Sequence, residues 1–210
     1  MAETKTKTAA VANKKAGKAL NIKLVTPLGR FAYPHLVVPN SSGEFPSDKF
    51  EVKLLMPKAT WKEAGANFRD AIMAVAKDKY GADVAKTLKD FPNPLTDGDT
   101  KEQEYYKGMV IITPKSGTKP KVLGPKKDIM TDEEVKGIKG GDYGRLVVSV
   151  YGYTKGKGGV GLGLEAVQFS HAGEAIGGGS AAALNLLEDL EVELDDPETD
   201  DSPDEEETLV

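Results

Sequence analysis

Aromatic and cationic residues lie side by side at three places in this chain: Arg30-Phe31 with Tyr33 and His35, Tyr105-Tyr106-Lys107, and Tyr151 and Tyr153 followed by Lys155 and Lys157. Rings of this kind stack on the unpaired bases of single-stranded nucleic acid, at about 1–3 kcal/mol per base, while cations track the phosphates. Tyr151 and Tyr153 share a strand face at period two. If Leu146, Val148 and Val150 face a core, both tyrosines face away from it together with Arg145. Lys53, Lys107, Arg145, Lys155 and Lys157 are the candidate phosphate contacts, and contacts of this kind make affinity fall steeply with salt. A single tyrosine reads equally well as ordinary strand surface. His35, beside Tyr33 and Pro34, is either a plain strand residue or a stacking one.

Other chemistry finds less support. The chain has two His and no Cys, so it has no thiolate ligand or nucleophile, and His35 and His171 are too far apart in sequence to suggest a zinc site. Asp97-Gly98-Asp99 begins like a calcium loop, but Gly108 stands at the twelfth position where a Glu is needed. Gly156, Gly158 and Gly161 match a dinucleotide fingerprint in spacing, yet the segment after them reads as strand and not as helix. They fit a tight turn that holds Lys155 and Lys157 out at a hairpin tip. The pattern therefore calls for no metal, no cofactor and no enzyme activity.

The charge is split along the chain. Of 28 basic and 33 acidic residues, residues 1–173 hold all 28 basic and 19 acidic ones, a net +9, and residues 174–210 hold the other 14 acids, a net −14. A basic body suits a polyanion. An acidic arm without aromatic residues cannot bury enough surface to fold, and it reads as a solvated interaction arm that mimics the polyanion and competes for the basic surface.

These residues need a scaffold. Residues 1–19 read as a flexible lysine-rich start, 20–173 as one folded domain and 174–210 as a disordered acidic tail. A domain of about 150 residues buries about 70% of its unfolded surface, enough for a single core. No apolar run approaches the roughly 20 residues of a membrane span, and the start lacks the apolar stretch of a signal peptide. Strands are expected at Asn21–Val25, Arg30–Val38 (with Pro34 marking an edge or bulge), Lys49–Met56, Gly108–Thr113, Lys119–Leu123, Tyr143–Thr154 and Val160–Phe169. Thr60–Lys89 is the helical region, with Thr60 and Glu63 as a capping box, Trp61, Phe68, Ile72 and Val75 on its apolar stripe, Gly81 as a break and Asp83–Lys89 as a second short helix. Phe91–Gly98 reads as loop, and Asp128–Ile138 as loop with a helical turn. The fold class is mainly β with one helical insertion, an OB-fold-like small β-barrel, with a β-sandwich as the alternative.

The chain resembles a family of phage single-stranded-DNA-binding proteins with an OB-fold core and an acidic C-terminal tail. The resemblance rests on Phe31-Ala-Tyr33-Pro34-His35-Leu36, Lys49–Lys58, Pro94–Asp99, Lys119–Val122, the block Gly141–Tyr153 and Gly158–Phe169, in that order and spacing. It implies coating of single-stranded DNA without sequence choice in phage replication, recombination and repair, in the cytoplasm of the infected host, with no enzyme activity. It also implies that the tail recruits replication or recombination proteins, through Asp200, Asp201, Asp204, Glu205, Glu206 and Glu207 and the aliphatic end Leu209 and Val210. Tails of this kind often end in an aromatic residue, whereas this one ends Thr208-Leu209-Val210. The sequence leaves the oligomeric state open, and a homodimer is compatible with it. A structural or assembly protein is the competing reading, and a small nuclease ranks last.

Overall fold

The computed structural model describes residues 10–13, 19–42, 46–81 and 93–176. They lie within one compact unit, Met1–Gly177. The expected helix at Asp83–Lys89, most of the lysine-rich start and the tail residues Asp200 to Val210 fall outside the described residues.

Among the described residues ten strands form one sheet. In chain order they are β1 (Ala10–Asn13), β2 (Asn21–Val25), β3 (Gly29–His35), β4 (Phe50–Pro57), β5 (Thr96–Asp97), β6 (Met109–Ile112), β7 (Lys115–Ser116), β8 (Lys121–Leu123), β9 (Tyr143–Tyr153) and β10 (Gly159–His171), with helices α1 (Lys58–Tyr80) after β4 and α2 (Asp132–Lys136) after β8. The sheet closes on itself. β3 pairs with β4 and β9, β4 with β7, β7 with β10 in parallel, and β10 with β9. β8 extends the parallel pairing to β10, and β2 pairs with β9. This is the closed barrel of an OB-fold, with α1 inserted between its second and third strand positions.

Alternation fills the barrel. Ile22 and Leu24, Val52, Leu54 and Met56, Leu146, Val148 and Val150, and Leu162, Leu164 and Val167 point inward, and Trp61, Phe68, Ile72 and Val75 of α1 close one end. Each large side chain buried in this way contributes about 1.5–3 kcal/mol. Trp61 and Phe68 pack with ring centroids 4.9 Å apart.

Two local expectations change. The Thr60–Glu63 capping box is not the start of α1: the helix begins at Lys58, straight after the last residue of β4, with Pro57 as N-cap and no side-chain cap bond. The Lys58 N–H is satisfied across the fold by the Gly108 carbonyl at 2.9 Å, and the Thr60 hydroxyl donates back to the Pro57 carbonyl. A capping box does form at α2, where Glu134 N–H donates to Thr131 Oγ1 and Thr131 N–H to Glu134 Oε2. Within the segment expected as loop up to Gly98, Thr96 and Asp97 pair with Ile111 and Val110 as a short edge strand. Gly81 ends α1 at φ 88°, a left-handed position suited to glycine.

Candidate nucleic-acid interface

The same alternation sets an outer face. Glu51 of β4 is the register partner of Lys115 of β7, Lys115 of Gly163 of β10, Gly163 of Ser149 of β9, and Ser149 of Lys23 of β2. With strands about 4.8 Å apart, this row crosses the barrel wall over roughly 19 Å. Lys53 lies two residues further along the outer face of β4, and Tyr151 two residues further along β9.

At the β3–β4 end stands a tyrosine cluster. Pairing of β3 with β4 slips between Ala32 and His35, and Tyr33 sits at φ 48°. A bulge re-aims a side chain, and here the exposed Tyr33 ring turns under Lys53, whose Nζ lies 4.8 Å from the ring centroid. The Tyr33 and Tyr105 hydroxyls meet at 2.8 Å, Lys53 Nζ donates to the Tyr106 hydroxyl at 3.3 Å, and the Tyr105 and Tyr106 rings are 4.3 Å apart. The bond to Tyr105 and then burial raise the Tyr33 phenol above its usual range, while burial is the leading cause for Tyr105 and Tyr106. All three stay neutral across the ordinary pH range, so the cluster presents a cation and polar ring edges without a competing phenolate.

Beside Lys53 on β4 lies Glu51, buried and central. Its carboxylate accepts from Asn40 Nδ2 at 2.8 Å and Ser47 Oγ at 2.7 Å and pairs with Lys115 at 2.5 Å. Burial pushes this carboxyl up, but the bonds from Lys115, Ser47 and Asn40 outweigh it and hold the group below its usual value. Glu51 thereby ties the β3–β4 loop to the sheet.

At the other end is an open cleft of about 390 Å³, lined among others by Lys49, Thr113, Lys115, Tyr151, Tyr153 and Gly161. The Tyr151 ring lies across the backbone of β10: a Cβ added at Gly161 would stand 2.9 Å from it. Tyr151 and Tyr153 are 6.4 Å apart, and Tyr151 is among the exposed large side chains. The hairpin that follows carries Lys155 and Lys157, both exposed. Its Gly156 and Gly158 adopt φ 67° and 70°, as the turn reading of these glycines requires.

Not every sequence candidate lies on this face. Phe31 is a correction: it is fully buried, its ring so close to Gly144 that an added Cβ there would stand 2.1 Å away, and it belongs to the core. Tyr106 is also buried and supports Tyr105 and Lys53 rather than offering a ring face. Arg30 is engaged by main-chain carbonyls, Nε donating to Gly141 and an η nitrogen to Glu174 at 2.6 Å. Lys107 Nζ donates to the carbonyls of Asp99 and Lys101. Arg145 Nε donates to Gln168 Oε1. His35 is half-buried and opposite Glu51. Conversely, Lys115, Lys49 and Thr113 join the face unannounced. The neighbours of Thr113 and Lys115 carry no aromatic signal, Lys49 precedes the aromatic Phe50 at the start of β4, and only the parallel pairing of β7 with β10 brings Lys115 to Gly163.

The first residues of the acidic segment run beside the tyrosine cluster. Ile176 N–H donates to the Gly140 carbonyl, and the Ile176 side chain packs against the cluster of Ala32, Leu55, Tyr106 and Ile111.

Comparison with known proteins places this architecture. Protein p50 of Acyrthosiphon pisum secondary endosymbiont phage 1 is 28% identical over 167 residues, covering 77% of this chain and 90% of that protein. The solved single-stranded DNA-binding protein of bacteriophage Enc34 is 24% identical, with a TM-score of 0.62 over 84% of this chain and 99% of that one. Its complex with ssDNA matches with the same score over 80% and 98%. The T7 single-stranded DNA binding protein gp2.5 shares the fold at 18% identity and TM-score 0.55, over 81% of this chain and 97% of that one. The family model described as the ssDNA-binding protein of Enterobacter phage Enc34 matches residues 22–198, and with most of its length so matched the chain belongs to that family of phage ssDNA-binding proteins.

Proposed function

We propose that this protein binds single-stranded DNA without sequence choice along the outer face that runs from Tyr33, Tyr105 and Lys53 across Lys115 to Tyr151, Tyr153, Lys155 and Lys157. The observation that carries the reading is the register row from Glu51 to Lys23, which joins two tyrosine groups otherwise far apart in sequence into one wall. Rings at both ends stack on bases, and the exposed hairpin lysines, Lys155 and Lys157, meet phosphates. Stacking uses the π-face that every base has, so the binding is sequence-tolerant. The role is that of a non-catalytic coat on single strands during phage DNA replication, recombination and repair in the host cytoplasm.

The acidic tail is the regulatory part of this reading. It recruits replication or recombination proteins and competes with DNA for the basic face. Support comes from where the segment starts: Ile176 is packed against the residues beneath the tyrosine cluster.

The test is titration of the full chain with oligo-dT and with duplex DNA at two salt concentrations, read by quenching of Trp61 and tyrosine fluorescence and by gel shift. Tight, salt-sensitive binding to the single strand with weak duplex binding is expected. A parallel chain with Asp200, Asp201, Asp204, Glu205, Glu206 and Glu207 changed to Asn or Gln should bind more tightly at equal salt. Absence of single-strand binding overturns the reading, and unchanged or weaker affinity in the neutralised chain overturns the competition.

A further inference from the structure

A stacked column stands at the opposite end of β9 from Tyr151. Tyr143 and His171 are register partners at the start of β9 and the end of β10, and their rings lie parallel, 4.7 Å apart with 13° between planes. The Arg30 guanidinium sits over the Tyr143 ring at 5.5 Å. The arrangement is held rigidly. Ser170 Oγ and His171 Nδ1 are 3.0 Å apart, and an added Cβ at Gly173 would stand 2.8 Å from the Tyr143 ring edge. Arg30 is fixed by the carbonyls of Gly141 and Glu174.

His171 is exposed. One of its ring faces is covered by Tyr143, so its exposure lies on the other face and the ring edge. A flat, solvent-facing imidazole on a pre-stacked phenol, with a guanidinium over that phenol, suits a planar ligand that adds one more layer. The period-two alternation that points Leu146 and Val148 inward puts Tyr143 on the same outer face of β9 as Arg145, Ser149, Tyr151 and Tyr153. Eight residues separate Tyr143 from Tyr151, roughly 26 Å at about 3.3 Å per residue.

We propose that the Tyr143–His171 stack is a second platform for a base of single-stranded DNA, at the far end of β9 from Tyr151 and Tyr153. The proposal rests on the single-strand reading above and adds a site to it: a strand that spans both platforms follows the outer face of β9 past Ser149 and Arg145. The Tyr143 and His171 side chains lie on the outside of the barrel, and the part Tyr143 takes in closing it, its pairing with Arg30 where β9 meets β3, is main-chain and survives a change at His171.

The experiment uses the full chain with His171→Ala and His171→Trp, and dT oligomers of about 4 and about 16 nucleotides, the range of site sizes for one OB-fold. Expected are a fall of about five-fold or more in affinity for the longer oligomer with His171→Ala, a smaller occluded site by reverse titration, and recovery with His171→Trp, all with unchanged thermal melting. Photocrosslinking of 5-iododeoxyuridine oligomers should mark the peptides that hold Tyr143 or His171. Wild-type affinity, unchanged site size and no crosslink at either residue would overturn the second platform, while loss of binding in Tyr151→Ala would show in the same series that the single-strand reading itself stands. A wild-type chain that binds no oligomer removes both.

Discussion

The Tyr80 hydroxyl, at the last residue of α1, accepts the Gly159 N–H at 2.6 Å and donates to the Tyr153 carbonyl, so one side chain pins both ends of the β9–β10 hairpin to the helix. The fit is close: a Cβ at Gly158 would stand 2.7 Å from that hydroxyl. The hairpin carries Lys155 and Lys157. Tyr80→Phe keeps the ring and removes the bonds, which leaves main-chain groups without a partner at a cost of about 1–3 kcal/mol. A lower urea midpoint and a several-fold weaker affinity for oligo-dT are expected. In a Lys155→Ala/Lys157→Ala background the affinity effect should vanish while the stability effect persists, which a double-mutant cycle measures directly.

Glu51 makes stability pH-dependent in a defined direction. Its folded carboxyl titrates below the unfolded value because the bonds from Lys115, Ser47 and Asn40 outweigh burial. A depressed carboxylate adds stability that is fully present above the unfolded value, about 4.3 for Glu, and that is lost as pH falls through the lower folded value. Glu51→Gln should therefore melt below wild type at neutral pH, with the difference closing as pH drops below about 4. Melting curves of both proteins across pH 3–8 check this. A constant difference over the whole range would show that the carboxylate charge is not the cause.

Much of the barrel was legible because its strands alternate: Val52 and Leu54, and Leu146, Val148 and Val150, point inward as the period of two requires. The assignment of Phe31 fails on the same rule. Phe31 and Tyr33 have the same parity, and an unbroken strand would put both rings on one face. The bulge after Ala32 and the left-handed Tyr33 backbone break that parity, leaving Phe31 in the core and Tyr33 outside. Pro34 marked the irregularity but could not say which ring would turn. Thr60 and Glu63 match a capping box in spacing, yet the first N–H of α1 is satisfied by Gly108, a partner 50 residues away. Lys115 was silent for a related reason, since its place depends on parallel pairing with β10, a long-range register that no local pattern encodes.

Gly161 tests the cleft from below, through the Tyr151 side chain alone. It lies under the Tyr151 ring, which would stand 2.9 Å from an added Cβ, and its backbone is not left-handed, so alanine brings no backbone strain. Gly161→Ala should push the ring out of the cleft and cost part of its stacking, about 1–3 kcal/mol per base when fully lost, or about 5- to 150-fold in affinity. The barrel should melt within about a degree or two of wild type, as a surface substitution does. Tyrosine quenching on oligo-dT addition measures the first effect and calorimetry the second. A wild-type affinity in this variant would mean that Tyr151 does not carry a base.

The lysines separate by what already holds them. Lys107 Nζ is occupied by the carbonyls of Asp99 and Lys101, and moving it to a phosphate would break both bonds. Lys155 and Lys157 stand exposed on the hairpin tip. For a single strand, each phosphate contact adds about 0.7 to the slope of log affinity against log salt. Lys155→Ala/Lys157→Ala should therefore flatten the slope by about 1.4, whereas Lys107→Ala should leave it unchanged and lower stability by loosening residues 99–107. Affinities measured from about 50 to 200 mM salt resolve the difference. A slope that falls with Lys107→Ala and not with the hairpin pair would move the phosphate path off the β9–β10 tip and onto the loop beside Tyr105.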